Sequence, residues 1–221
     1  MSGRGDTGVG VCYLVVNEHC PPFLLRAYQG NNVSSIVELL KLHPVIAAVK
    51  DNESLQAAVK SDCRIISVLY GNICNIGRIV QQIKEAGKYA FVHVDLLEGS
   101  SNKEIVINFL KIVTAADGII STKTSMVKAA RQQGFYAIHR LFILDSISFN
   151  NVDKQVAQST PDCIEILPGC MPKVLGWVAD KIDLPIIAGG LVCDEDDAQT
   201  ALKAGAIAVS TTNHDVWKLA L

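Results

Sequence analysis

Short apolar segments recur at nearly regular intervals along most of this chain. They begin near Pro44, Ile65, Tyr89, Gly118, Tyr136, Cys163, Pro185 and Ala206, at intervals of 18 to 29 residues. Each interval accommodates one helix of about three turns and two short loops. Strands that alternate with helices build a parallel sheet, and eight such units indicate a closed sheet. We therefore predict an α/β fold, a compact (β/α)8 TIM-type barrel. The first strand is not followed by Gly-x-Gly-x-x-Gly, which argues against a dinucleotide-binding fold.

The segments between the predicted strands carry apolar residues at helical spacing, and a glycine follows several of them. Helices are predicted over residues 75–86 and 102–115, a third ends at Gly134, and a fourth ends at Gly205. Glycine most easily adopts the left-handed conformation that is common just after a helix. A short amphipathic helix over residues 34–42 is expected to close the bottom of the barrel, ahead of the first strand.

The composition excludes several classes of protein. Of the 221 residues, 49% are hydrophobic, which excludes a disordered chain, and no apolar run approaches the ~18 residues needed to span a bilayer. The formal net charge of −2 gives no general basic surface for nucleic acid, so any RNA contact requires a local patch. The seven cysteines include no Cys-x-x-Cys pair, and we expect reduced thiols in a cytoplasmic protein.

Residues 1–32 do not share the pattern of the rest of the chain. The segment begins with several glycines, and Pro21 and Pro22 interrupt any helix. Its one early positive charge is Arg4, and no small-residue cleavage site follows its apolar run, so a signal peptide is not expected. We interpret residues 1–32 as an N-terminal extension and residues 33–221 as a single (β/α)8 barrel domain.

The last two predicted strands end in residues with small or hydroxyl-bearing side chains. One leads into Gly189 and Gly190 in the sequence PIIAGGL, and the other leads into Ser210 and Thr211 in the sequence AGAIAVST. Glycine lets backbone N–H groups approach an anion, hydroxyl groups add donors, and a helix beginning near His214 would add its N-terminus. The loops after strands seven and eight often bind phosphate in such barrels. We predict a phosphate-binding site at the C-terminal face. The alternative is a pair of ordinary tight turns.

Alternation along the strands indicates which polar side chains face the barrel axis. The isoleucines on both sides of Glu165 must face the helices, so Glu165 faces inward, and the same argument turns His93 and Asp95 inward. The direction of Arg140 is ambiguous, because His139 beside it faces the opposite way. The predicted ring at the barrel mouth consists of Lys50, His93, Asp95, Lys123, Arg140 and Glu165.

The chemistry of this ring suits a small, polar phosphate ester. Its cations would face the phosphate group, and its carboxylates would accept hydrogen bonds from hydroxyl groups of the ligand. The alternative is that these charges neutralise one another inside the barrel. No pair of histidines has the spacing of metal ligands. We assign no metal, no cofactor and no catalytic residue.

Seven segments of the sequence together carry a family resemblance. They are PVIAAVKD (44–51), FVHVDL (91–96), DGIISTK (117–123), RLFILDS (140–146), IEILPG (164–169) with MPK (171–173), PIIAGGL (185–191) and AGAIAVST (204–211). With these segments the chain resembles the glycerol-3-phosphate-responsive antiterminators of the glycerol uptake operon. One departure is Asn72, which stands where the family usually has an aspartate and weakens any role for a carboxylate there.

The resemblance implies a phosphate-binding barrel that senses glycerol 3-phosphate. It also implies binding to nascent leader mRNA, so that transcription passes a terminator upstream of glycerol-uptake genes. In such a regulator the ligand and the RNA raise each other's affinity. The alternative is an enzyme that acts on a small phosphorylated triose or sugar, with Asp95, Glu165 or Lys123 as acid or base.

The sequence offers few candidate contacts for RNA. A local basic surface would come from Lys128 with Arg131, or from Lys173 with Lys181. Trp177 and Trp217 lie in predicted helices and are interpreted as packing residues. We expect no membrane partner, and a homodimer is left open.

Overall fold

Eight parallel strands close into a barrel in the computed structural model of this chain, which describes residues 35–101 and 103–221. Each strand pairs with the next one along the chain, and the last pairs with the first. The strands are β1 (Val45–Val49), β2 (Ile65–Val68), β3 (Tyr89–His93), β4 (Gly118–Ser121), β5 (Tyr136–Phe142), β6 (Cys163–Leu167), β7 (Ile186–Gly189) and β8 (Ala208–Thr211). The predicted (β/α)8 fold is confirmed, and every strand begins within two residues of its predicted start.

Helices precede the barrel and connect its strands. Those in the described part of the chain are α1 (Ile36–Leu42), α2 (Asn52–Lys60), α3 (Ile76–Glu85), α4 (Ile105–Val113), α5 (Thr124–Gln132), α6 (Ser146–Asn150), α7 (Val152–Ser159), α8 (Pro172–Ala179) and α9 (Glu195–Lys203). Asp51, Asp145 and Asp194 begin three of them, because each carboxylate accepts a hydrogen bond from the N–H three residues on. None of these helices has both the length and the apolar character to cross a bilayer.

The segment after β8 forms less helix than the sequence predicts. The expected helix at 214–218 is only a 3₁₀ turn, Val216–Lys218. This turn has no side-chain cap, and the side-chain oxygen of Asn213 instead accepts a hydrogen bond from the N–H of Asp215 over 2.8 Å, just before the turn. So short a turn has almost no dipole, and it contributes little to the binding of an anion.

Two apolar layers position the strands. The outer layer lies between the strands and the surrounding helices and includes Val92, Ile164 and Ile166. The inner layer fills the barrel with Ile36, Leu39, Leu40, Ile46, Ile65, Phe91, Ile120, Ile138, Cys163, Ile187 and Ala208. Three of these inner residues belong to α1, which therefore closes the bottom of the barrel as predicted.

Some sequence-based predictions concern residues outside the described part of the chain. The proposed extension, residues 1–32, lies there, together with Cys12 and Cys20. Ser35 caps the helix predicted over residues 34–42, because its hydroxyl oxygen accepts a hydrogen bond from the N–H of Glu38 over 3.2 Å. The cysteines of the described residues are all free thiols.

A buried lysine caps the end of α2. Lys88 is 5% exposed, and its Nζ donates to the carbonyl oxygens of Ala58, Ser61 and Cys63 over 2.8, 2.5 and 2.8 Å.

We expect Lys88→Met to lower the free energy of unfolding by about 1–3 kcal/mol, because the three carbonyls lose their donor. Denaturant unfolding measures the change. Lys60→Met, at the exposed end of the same helix, is the control and should change stability by less than about 0.5 kcal/mol. Equal effects would contradict the capping role.

Candidate ligand-binding site

An ion pair lies inside the barrel near the carboxyl ends of β5 and β6. Arg140 stands opposite Glu165 in the register of these strands. Nε of Arg140 donates to one carboxylate oxygen over 2.7 Å, and a terminal guanidinium nitrogen donates to the other over 3.2 Å. The two residues are 8% and 2% exposed. Because two hydrogen bonds join a planar cation to a planar anion, each group fixes the orientation of the other.

The strands place this pair as alternation requires. Glu165 lines the interior together with Ile138 and Ile187, as predicted. The direction of Arg140, which the sequence left ambiguous, is now defined, because its partner lies inside the barrel. His139 faces outward, where its Nδ1 lies 2.8 Å from the hydroxyl oxygen of Ser159 on α7. The pair forms a charged layer directly above the apolar floor.

Gly189 makes room for this charged layer. A Cβ atom at residue 189 would lie 2.5 Å from Oε1 of Glu165, too close for any other residue to fit without displacement. From the sequence, Gly189 is predicted to let an anion approach its N–H group. The structure gives its missing side chain a further role, because the absence of Cβ admits the carboxylate.

The turn after β7 directs backbone N–H groups to one side. The N–H of Gly169, in the loop after β6, donates to the carbonyls of Gly189 and Gly190 over 2.6 and 2.9 Å. In a trans peptide the N–H points opposite to the C=O. The N–H groups of Gly190 and Leu191 therefore both point away from Gly169. Leu191 has φ +56°, a rare and costly value for a residue with a side chain, and such strain often marks a functional site.

The two hydroxyl residues of β8 have different surroundings. Ser210 stands opposite Gly189 in the strand register, and it lines the barrel interior. The hydroxyl of Thr211 donates to the carbonyl of Val192 over 2.6 Å and accepts from the N–H of Asn213 over 3.0 Å. The prediction that this hydroxyl serves as a donor at the site is therefore not supported. It ties the loop after β7 to the loop after β8, which keeps the two loops side by side.

Asp95, just after β3, is held by the end of β4. Its carboxylate accepts hydrogen bonds from the Ser121 hydroxyl over 2.8 Å, and from the N–H and hydroxyl of Thr122 over 2.6 and 2.8 Å. Burial acts to raise the pKa of Asp95, but these hydrogen bonds outweigh it and lower the pKa. Because these donors occupy the carboxylate, Asp95 joins two strand ends and has little capacity left for a ligand.

Two lysines lie at the edge of the mouth. Lys123 follows β4, its Nζ lies 3.8 Å from the Asp95 carboxylate, and its side chain is 39% exposed. Lys50 follows β1 and is exposed, while its backbone N–H donates to the hydroxyl of Ser54 over 3.1 Å. Each ammonium group is a compact charge on a flexible four-carbon stem, which lets it adjust its position to an anion.

Three buried side-chain polar atoms lack a hydrogen-bond partner within the described residues. They are Nδ1 of His93 and the hydroxyl oxygens of Ser67 and Tyr70. Buried polar atoms without a partner are rare, and each requires an explanation. Ser67 lines the interior and was not predicted, although alternation along β2 would have turned it inward. Burial, and then the charge of Arg140, lower the pKa of His93 to about 4, so its imidazole is neutral at pH 7.

The depressed pKa of His93 predicts a loss of stability in mild acid. Between pH 6.5 and pH 4 the unfolded chain binds a proton at His93 that the folded chain does not bind, so stability falls as the pH falls. From pH 7 to pH 5 this contribution is about 2 kcal/mol. Burial also lowers the pKa of His43 and His139, which act in the same direction. We therefore expect the loss on acidification to be smaller by that amount in His93→Gln, measured by urea unfolding at both pH values. An unchanged pH profile would contradict this assignment.

Asn72, the departure from the family pattern, has a local structural role. Its side-chain oxygen accepts hydrogen bonds from the N–H groups of Cys74 and Asn75 over 2.9 and 3.1 Å. An amide oxygen serves this turn as a carboxylate would.

Over the ranges that the structure describes, no three histidine, cysteine or acidic side chains are grouped to hold a metal ion.

The fold and site define a (β/α)8 barrel whose mouth combines a buried ion pair, a glycine turn and two lysines. Residues 45–217 match the family described as glycerol-3-phosphate responsive antiterminator, and the chain belongs to this family.

Three relatives illustrate the similarity. An uncharacterized Escherichia coli K12 protein, YgcP, is 72% identical over 185 residues, which are 84% of this chain and 97% of that protein. The glycerol uptake operon antiterminator regulatory protein of Listeria monocytogenes has a crystal structure with a TM-score of 0.76 and 32% identity, over 78% of this chain and 94% of that one. A related Thermotoga maritima protein has a TM-score of 0.71 and 32% identity, over 79% and 98%.

Proposed function

We propose that this protein is a transcription antiterminator that binds glycerol 3-phosphate in the barrel mouth and nascent leader mRNA on its surface, in the cytoplasm. The observation that carries the ligand half is the pairing of the last two strand ends beside a buried Arg140–Glu165 pair. Family membership supports the regulatory half.

The phosphate group would lie at the turn after β7. There it would accept hydrogen bonds from the N–H groups of Gly190 and Leu191, which point away from Gly169. Lys123 and Lys50 would approach it from the edge of the mouth. Two backbone donors and two ammonium groups are a common combination for a phosphate ester.

The glycerol part would lie deeper, against the charged layer. Its hydroxyl groups both donate and accept hydrogen bonds, and the neutral His93 and the Ser67 hydroxyl both have capacity for such partners. This arrangement would distinguish glycerol 3-phosphate from inorganic phosphate, because phosphate alone does not reach these groups.

Three side chains of the mouth, Glu165, Asp95 and His93, are better suited to binding than to catalysis. Glu165 is held by Arg140, Asp95 by the end of β4, and His93 has a pKa of about 4. An efficient general base or acid has a pKa near the working pH. The enzyme alternative would need a titrating group near pH 7, which neither Asp95, whose pKa is lowered, nor His93 provides.

Two measurements on the purified protein test the proposal. Calorimetric titration with glycerol 3-phosphate should show saturable binding, with glycerol and inorganic phosphate as weaker controls. A gel shift with leader RNA of the glycerol genes should show binding that the ligand strengthens. The absence of heat at millimolar glycerol 3-phosphate would contradict ligand binding. RNA binding that does not change when the ligand is added would contradict the coupling between ligand and RNA.

Lys123→Ala should weaken ligand binding with little effect on folding. The lost charge-assisted contact to phosphate is worth about 1.5–3 kcal/mol, or roughly a 10- to 100-fold increase in Kd. The ammonium group is partly exposed and 3.8 Å from Asp95, so its removal should cost little stability. Lys84→Ala is the control, because Lys84 pairs with Asp117 over 2.7 Å at the other end of the barrel. A Kd for Lys123→Ala equal to that of the control would contradict a phosphate contact.

A further inference from the structure

The two tryptophans of the chain differ in exposure. Trp217 is 3% exposed and packs in the outer apolar layer, which confirms its interpretation as a packing residue. Trp177, on α8, is 48% exposed. Its ring meets that of Phe149, at the end of α6, in an edge-to-face arrangement with ring centroids 6.0 Å apart and planes at 61°. The expectation of packing holds only in part for Trp177, because much of its ring contacts solvent.

Two lysines accompany these aromatic rings. Lys173, one helical turn before Trp177, places its Nζ 5.2 Å from the centroid of the tryptophan ring. Lys181 places its Nζ 4.7 Å from the Phe149 ring and also pairs with Asp153 over 2.9 Å. We call Phe149, Lys173, Trp177 and Lys181 the aromatic–lysine surface. Lys181 contacts the ring of Phe149, whereas Lys173 is exposed and its ammonium group is accessible to a partner.

We propose that the aromatic–lysine surface is where this protein contacts single-stranded RNA. A base would stack on the exposed ring of Trp177, and Lys173 would contact the backbone phosphate beside it. Stacking on an exposed aromatic ring next to a cation is the common way in which proteins hold unpaired RNA. The inference rests on the proposed antiterminator function and adds the location of the RNA contact.

The surface is connected to the ligand site through the loop after β6. Gly169 binds the carbonyls of the turn after β7 through its N–H, and α8 begins three residues later at Pro172. A Cβ atom at residue 169 would lie 2.8 Å from the backbone nitrogen of Gly189, so the two loops are in close contact. A ligand that orders the β7 turn would therefore also hold the start of α8. This contact gives the ligand a physical route to the RNA affinity.

Binding of a labelled single-stranded segment of the leader RNA, with and without glycerol 3-phosphate, tests the surface. Trp177→Ala should weaken RNA binding about 10- to 100-fold, and Trp177→Phe should retain most of it. Lys173→Ala should reduce the salt dependence of log K by about 0.7. The matched control is Lys111→Ala, because Lys111 places its Nζ 4.7 Å from the ring of Phe135 on another side of the barrel.

The outcomes separate this inference from the proposed function. If the wild type binds RNA in a ligand-dependent way and Trp177→Ala binds equally well, the surface is wrong and the function stands. If the wild type binds no RNA under either condition, both fail. Calorimetry must show unchanged glycerol 3-phosphate binding in Trp177→Ala. Loss of both ligands in that variant would mean a structural role for Trp177 and would overturn the inference.

Discussion

Glu165→Ala is expected to lower the free energy of unfolding by about 3–5 kcal/mol, measured by urea denaturation. The substitution leaves the Arg140 guanidinium inside the barrel, 8% exposed, without the carboxylate that neutralises it. A buried charge without a partner is among the most destabilising changes in a protein. Ligand binding should be lost in the same variant, because the charged layer beneath the mouth is disrupted.

A double variant separates the structural contribution of the pair from its part in the site. Arg140→Met combined with Glu165→Leu replaces both charges by apolar side chains of similar volume, which is often neutral or stabilising. We expect most of the lost stability to return while glycerol 3-phosphate binding stays absent. If the double variant binds the ligand normally, the pair is purely structural, as the alternative interpretation of the ring proposed.

Gly190→Val should weaken glycerol 3-phosphate binding at least about 100-fold in a calorimetric titration. Gly190 has φ +70°, which a β-branched residue rarely adopts, and a Cβ atom there would lie 3.1 Å from a methyl group of Leu167. The turn would shift to accommodate valine, and the N–H groups of Gly190 and Leu191 would lose their common direction. Each lost hydrogen bond to a charged group is worth about 1.5–3 kcal/mol.

Gly87→Val provides a matched control for the backbone effect. Gly87 has φ +71°, and a Cβ atom there would meet no heavy atom within 4 Å. It follows α3 at the opposite end of the barrel, so its substitution carries the cost of the unfavourable φ alone. We expect a loss of stability in both variants and a loss of affinity only in Gly190→Val. If Gly190→Val and Gly87→Val bind glycerol 3-phosphate with equal affinity, the turn after β7 does not contact the phosphate.

The barrel interior has two levels, of which the upper one faces the proposed ligand site. The lower level is apolar from α1 upward. Gly118 leaves room for the ring of Phe91 in this level, because a Cβ atom at residue 118 would overlap that ring. The upper level carries Arg140, Glu165 and His93, whose burial is costly unless their polar atoms are satisfied. A ligand that completes these hydrogen bonds would stabilise the folded state, which makes a rise in Tm with glycerol 3-phosphate a convenient first assay.

The sequence by itself determined the fold and the orientation of several site residues. The spacing of apolar segments defined eight strands, because each unit of strand, helix and two loops has a narrow range of lengths. Alternation placed Glu165 inside the barrel, since side chains on a strand point to opposite faces by geometry alone. These are local properties of the backbone, and they do not depend on which residues become neighbours.

Only the tertiary structure decided which side chains meet. The register of β5 and β6 pairs Arg140 with Glu165, and the loop contacts of β8 engage the Thr211 hydroxyl that the sequence had assigned to the ligand. Likewise, the end of β4 binds Asp95, and the position of α8 leaves Trp177 half exposed. Each outcome depends on distances between segments far apart in the chain. A single sequence contains the side-chain types and their spacing, but the partners follow from how the barrel closes.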